Sequence, residues 1–156
     1  MKLRIVGLGM LMILGTISVL AQDTFSDEDL NKYATVMKWA AGEKVKMSAA
    51  VSAAVKESEV VSGAVYNKLS KAIKAGDVNS TDATQEEVDG FIAIQENTEN
   101  SKAEFKIVYI EKIGSDIGNG LYNRLKKALK SDDEVKARYQ AIFESIEMEE
   151  TDESEK

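Results

Sequence analysis

The chain falls into stretches that differ in how apolar and polar positions alternate. Ile5 to Leu20 holds no charged side chain, whereas the sequence after Gln22 mixes apolar and charged residues at short intervals. Phe25-Ser26-Asp27-Glu28-Asp29-Leu30 has the form of a helix start. Ser26 can cap the first turn, Asp29 stands at the third helical position, and the acidic side chains oppose the positive helix end. Leu30, Tyr33, Met37, Ala40, Lys44, Met47, Val51 and Val55 then recur at steps of three or four. This is one face of an α-helix with one polar interruption. A second start, Ala83-Thr84-Gln85-Glu86-Glu87-Val88, follows 58 residues later. Val88, Phe91, Gln95, Thr98, Lys102, Phe105, Tyr109 and Ile113 repeat the stripe at the same offset.

The two stretches also close alike. Gly63 to Lys74 matches Asn119 to Lys130 through a shared Tyr-Asn-basic-Leu-x-Lys-Ala-aliphatic-Lys string. The offset there is 56, so the first copy carries two extra residues in the Glu57–Ser62 connection. The pattern reads as an internal duplication, repeat one over 25–76 and repeat two over 83–146. Each unit is expected to be a long helix, a break around Ser58 or Gly114–Gly120, and a short helix folding back. Two such hairpins can bury their stripes against each other as a four-helix core. Ser131 is expected to cap a further helix to about Ile146, with Val135, Tyr139, Ile142, Phe143 and Ile146 as its apolar face. The first copy has the polar connector Asp77 to Ala83 instead. No proline occurs, and helix breakers are few. The expected class is therefore all-α, a bundle of about five helices.

These motifs resemble the bacterial domain of unknown function 4168 family. The resemblance rests on Phe25 to Ala34 opening the unit, and on Leu121-Tyr122-Asn123-Arg124-Leu125 followed by Ser131 to Tyr139 closing it. Together the two copies cover most of 25–146. The resemblance implies an exported helical protein and implies no activity. Copy one departs from it at Asp77 to Ala83, where the closing helix is missing.

The N-terminus carries an address. Lys2 and Arg4 precede the apolar run, and Val19 and Ala21 give the small-residue pattern of a signal-peptidase site. Residues 1–21 are thus expected to be a signal peptide cut before Gln22, leaving a domain over 22–146. An uncleaved anchor is the alternative, since the run nears the ~17 residues that span a bilayer. The expected location is exported, periplasmic or extracellular. Net charge is −7, and losing Lys2 and Arg4 makes it −9. Glu147 to Lys156 holds six acids and one lysine, and is expected to be a disordered acidic tail. The remaining body is only mildly acidic, which disfavours nucleic acid, because no net basic field releases counterions.

Histidine and cysteine are both absent. Ser-His-Asp and Cys-His nucleophiles, the usual zinc sites and haem ligation are excluded with them, and no cofactor is expected. Paired carboxylates can hydrolyse glycosides only when a cleft fixes two of them several ångströms apart; here they lie on helix starts and exposed faces. Asp77-Val78-Asn79-Ser80-Thr81-Asp82 starts like a calcium loop, but Asp82 replaces the turn glycine and Val88 the closing glutamate. Gly114 to Gly120 lacks the preceding strand and the lysine of a phosphate loop. It reads as a turn between helices. Lys68, Lys71 and Lys74, with Arg124, Lys126, Lys127 and Lys130, lie near the ends of the two short helices. Cations there oppose the negative helix end. As a functional site they would form a paired patch for anionic head groups or polysaccharide, a peripheral membrane or surface contact. Trp39 lies off the stripe and is expected to join the two hairpins, with an exposed anchor for a partner as the alternative.

The leading expectation is a non-enzymatic envelope protein acting through protein–protein or surface contacts. A periplasmic chaperone or adaptor holding apolar segments comes second, and a carboxylate-based hydrolase third. Mass spectrometry of the isolated protein should find a chain beginning at Gln22; an intact Met1 would show a retained anchor.

Overall fold

The computed structural model describes residues 24–76 and 81–146. The expected signal segment 1–21 and the acidic tail 147–156 lie outside the described residues. Within them the chain forms α1 (Asp27–Glu57), α2 (Gly63–Ala75), α3 (Gln85–Lys112), α4 (Asn119–Ser131) and α5 (Asp133–Ser145). One π-helical turn, Ile113–Ile117, joins α3 to α4. The protein is an all-α helical bundle.

Local chemistry sets the helix ends. The Ser26 hydroxyl accepts from the Asp29 N–H at 3.1 Å while the Asp29 carboxylate accepts from the Ser26 N–H at 3.1 Å. Thr84 and Glu87 make the same reciprocal cap on α3, at 3.2 and 2.7 Å. Such a cap typically contributes about 1 kcal/mol. After α1, Ser58 turns extended and its hydroxyl accepts from the Val61 N–H at 2.9 Å, in front of the fully buried Val61. Gly76 ends α2 in the left-handed region at φ 73°, where a side chain would be strained.

Two boundaries differ from the sequence-based expectation. Asp132, not Ser131, caps α5: its carboxylate accepts from the N–H groups of Glu134 and Val135 at 3.0 and 3.1 Å. Ser131 is the last residue of α4, and its hydroxyl donates back to the Lys127 carbonyl at 3.2 Å. The break expected over Gly114–Gly120 narrows to Gly118 alone, at φ 85°. The helix widens instead of stopping: the Gly118 N–H donates to the Ile113 carbonyl at 2.8 Å, an i to i−5 bond. Ile113 and Ile117, at the two ends of this turn, are both buried in the same core.

The expected single four-helix core is not what forms. α1 and α3 run antiparallel, since Met37 meets Tyr109, Trp39 meets Phe105, and Met47 and Ala54 share a groove with Thr98 and Ile94. Two separate cores cover opposite ends of this pair. The larger joins Leu30, Tyr33 and Val36 of α1 to Ile113, Ile117, Leu125 and Val135, with Phe25 closing the end. The smaller joins Val61, Leu69, Phe91 and Ile94, flanked by Val51 and Val55 of α1. α2 and α4 make no contact with each other. Lys44 and Lys102 lie along the long helices between the two cores. They interrupt both stripes at the same level of the antiparallel pair, and both are exposed.

At the smaller core the chain packs very closely. A Cβ added to Gly90 would meet side-chain methyls of Val60 and Val61 at 2.9 Å, so α3 approaches the α1–α2 connection through the one residue without a side chain. The two cores nevertheless share a plan. Tyr122 stacks on Tyr33 with ring centres 5.5 Å apart, and Tyr66 packs on Phe91 at 5.2 Å. Leu125 and Leu69 are each fully buried.

Leu69→Ala and Leu125→Ala should each cost about 2–5 kcal/mol in urea unfolding. Hydrogen exchange should separate them. Leu69→Ala should speed exchange in α2 and the start of α3, Leu125→Ala in α4 and α5; equal loosening of both ends by either change would contradict two cores.

Candidate functional site

The basic residues singled out from the sequence do not converge. Lys68, Lys71 and Lys74 lie on α2 over the smaller core, while Arg124, Lys126, Lys127 and Lys130 lie on α4 over the larger one. Several have local roles. Lys68 pairs with Asp82, Arg124 sits over the Phe25 ring at 5.8 Å, and Lys126 sits over Tyr122 at 5.7 Å. Lys71, Lys74, Lys127 and Lys130 are exposed toward the negative ends of their helices. The structure thus holds two basic helix ends attached to separate cores.

Four tyrosines, Tyr33, Tyr109, Tyr122 and Tyr139, come together at the larger core. Tyr33 stacks on Tyr122 and meets Tyr139 edge-on at 5.7 Å. The Tyr109 hydroxyl stands 3.3 Å from that of Tyr122 and donates to the Met37 sulfur at 3.6 Å. Burial pushes the Tyr33 hydroxyl up to about 12, with Tyr122 and Tyr139 adding to the effect. Burial also raises Tyr109, reinforced by its hydrogen bond to Tyr122, and raises Tyr139. The rings supply packing, and the Tyr109 hydroxyl adds internal hydrogen bonds to Met37 and Tyr122.

No group of three carboxylates in the described residues is placed to hold a metal ion. Residues 77–80 of the calcium-like loop lie outside the described residues. Trp39 stacks on Phe105 at 5.8 Å and carries the Lys112 ammonium 5.2 Å above its ring. It joins α1 to α3.

The middle of the α1–α3 pair, between the cores, is open to solvent. A shallow apolar groove of about 70 Å³ runs beside the smaller core, between Met47, Ala50, Val51 and Ala54 of α1 and Ile94, Asn97, Thr98 and Ser101 of α3. Large aliphatic side chains also stand exposed outside the groove. Ile107 and Ile110 are 60% and 56% exposed on α3, Val108 lies beside them, and Val45 is exposed on α1. Ile73 on α2 and Ile92 near the start of α3 are exposed too. These residues lie off the apolar stripes of their helices. Their signal in the sequence was an aliphatic residue at a helical position facing away from its own core, as at Ile107 and Ile110. The arrangement is suited to holding apolar surface of another molecule, and no carboxylates converge in it.

No protein-family model, no curated protein and no solved structure matches this chain.

A tyrosine whose folded pKa is raised contributes stability fully present below its unfolded pKa and lost as pH rises through the folded value. With unfolded tyrosine near 10 and Tyr33 at about 12, unfolding free energy should fall across that interval. Urea unfolding at stepped pH measures this, and Tyr33→Phe should flatten part of the fall. An unaltered slope in that variant would remove Tyr33 as a cause.

Proposed function

We propose that this is an exported, non-enzymatic helical protein that acts by binding another protein through the aliphatic faces of its long helices. The observation that carries the reading is the exposed set Ile107, Val108 and Ile110 on the outer side of α3. Monomeric soluble proteins rarely expose grouped aliphatic side chains, and such groups commonly mark interaction surfaces. The buried side chains among the described residues are aliphatic or aromatic, so the interior supplies packing and the surface supplies contacts.

Export rests on the sequence alone, on Lys2, Arg4, the apolar run and Ala21. None of the described helices is long and apolar enough to cross a membrane. The family resemblance likewise rests on the opening and closing motifs. Duplication of a long-helix and short-helix unit is supported by the matched ring contacts Tyr33–Tyr122 and Phe91–Tyr66.

Crosslinking and pull-down from the native envelope tests the reading. The wild-type chain should capture one or a few defined proteins, and the double change Ile107→Glu with Ile110→Glu should lower their recovery roughly tenfold, as loss of an apolar contact centre does. Both substitutions sit at exposed positions, so the folded helix content should persist in circular dichroism. Equal recovery with the variant, or turnover of an envelope glycan by the purified protein, would overturn it.

A further inference from the structure

The two halves of the fold differ by one helix. Positions on α3 lie 58 residues after their counterparts on α1, and positions on α4 lie 56 after those on α2. In one half α5 lies along the start of α1. Arg138 reaches Asp27 and the Phe25 carbonyl, Tyr139 meets Tyr33, and the Lys38 ammonium sits 4.7 Å over Phe143 and donates to its carbonyl at 3.2 Å. Ala34 stands between Leu30 and Lys38 on the covered face and is completely buried.

Among the described residues, no helix lies on the same face of the other half. Ile92 is the counterpart of Ala34 and is 43% exposed. Ile73 is the counterpart of Leu129, which is partly buried against the larger core, and is 47% exposed. Larger aliphatic groups are therefore left in water where smaller or covered ones stand in the first half. Covering them would be favourable by the usual burial of apolar area.

Charge on this face says what would fit. Lys38, which holds the end of α5 through Phe143, has Glu96 as its counterpart, and Ala41 has Glu99. Both glutamates are exposed, with Glu99 paired to Lys102 at 2.8 Å. Asp27, the partner of Arg138, has Gln85 as its counterpart. A helix lying here as α5 lies on α1 meets a carboxylate where α5 meets an ammonium. A second chain's α5 is a poor occupant, because it is engaged with its own α1 and carries Glu144 next to Phe143.

We propose that the start of α3 and the end of α2 form a docking site for one amphipathic helix of a partner protein. That helix carries an aromatic or aliphatic stripe like that of α5 and a basic residue opposite Glu96. The inference rests on the reading that the protein works through protein contacts, and it names the chemistry of the partner.

The test uses the purified full chain and two labelled synthetic peptides, one with the sequence of residues 132–146 and one with the same sequence carrying Glu144→Lys. Fluorescence anisotropy should show saturable binding of the Glu144→Lys peptide and weaker binding of the unaltered one. Ile92→Asp should weaken the first by roughly tenfold or more, and Glu96→Lys should reverse the preference between the two peptides. Ile92 and Glu96 are both exposed, and two variants of opposite chemistry guard against a folding artefact. Absence of saturable binding, or binding untouched by Ile92→Asp, overturns the proposal. So does a self-associated form that Ile92→Asp converts to monomer in sedimentation, which would make a second copy the occupant. If the peptides fail while envelope partners are still captured through Ile107 and Ile110, the docking site falls and the broader reading stands.

Discussion

A helix rises about 1.5 Å per residue, so the 31 residues of α1 extend about 46 Å. A 13-residue helix such as α2 or α4 extends about 20 Å. One short helix therefore cannot cover a long one, and this mismatch of length governs the architecture. α1 and α3 support each other along their length in antiparallel register, and each short helix closes one end. Tyr33 with Tyr122, and Phe91 with Tyr66, are the ring contacts by which each closure is made. In each case the short helix packs on the start of the long helix from the other half of the chain. The chain is thereby tied together across its two halves, although its apolar interior is split in two.

The split leaves a distinctive surface. Between the cores, the long helices have only each other, and Trp39 on Phe105 is the main contact that spans them there. Lys44 lies 6.0 Å over the Phe105 ring, which lets its stem cover apolar surface while its charge stays in water. Small side chains such as Ala50 and Ser101 line the shallow groove alongside. Ile107, Val108 and Ile110 flank Tyr109 at the level of the larger core and stand exposed on α3.

The two ends are closed unequally. α5 covers the start of α1 with an aromatic stripe, an arginine paired to Asp27, and a backbone carbonyl accepting from Lys38. The corresponding region of α3 begins after the polar connector, with Ala83 packed against the smaller core and Asp82 paired to Lys68. That connector must return the chain from α2 to α3. α5, the last of the described helices, has no such return to make. The inequality of cover thus follows from chain order, and it decides which aliphatic groups remain in water.

Much of this was legible in the sequence. Ser26 with Asp29, and Thr84 with Glu87, announce helix starts because capping is a local matter of three or four residues. The stripes from Leu30 and Val88 announce helices and their inner faces, and even Lys44 and Lys102 were visible as interruptions. Other outcomes depended on partners distant in sequence. Nothing local says that α2 packs on α3 rather than against α4, or that the helix widens into a π turn at Ile113–Ile117. Periodicity marks which side of a helix is apolar but not how far a neighbour reaches along it. For that reason Ala34 and Ile92, equivalent in their helices, end buried and exposed. Only the tertiary arrangement, set by helix length and by which segment follows which, separated them.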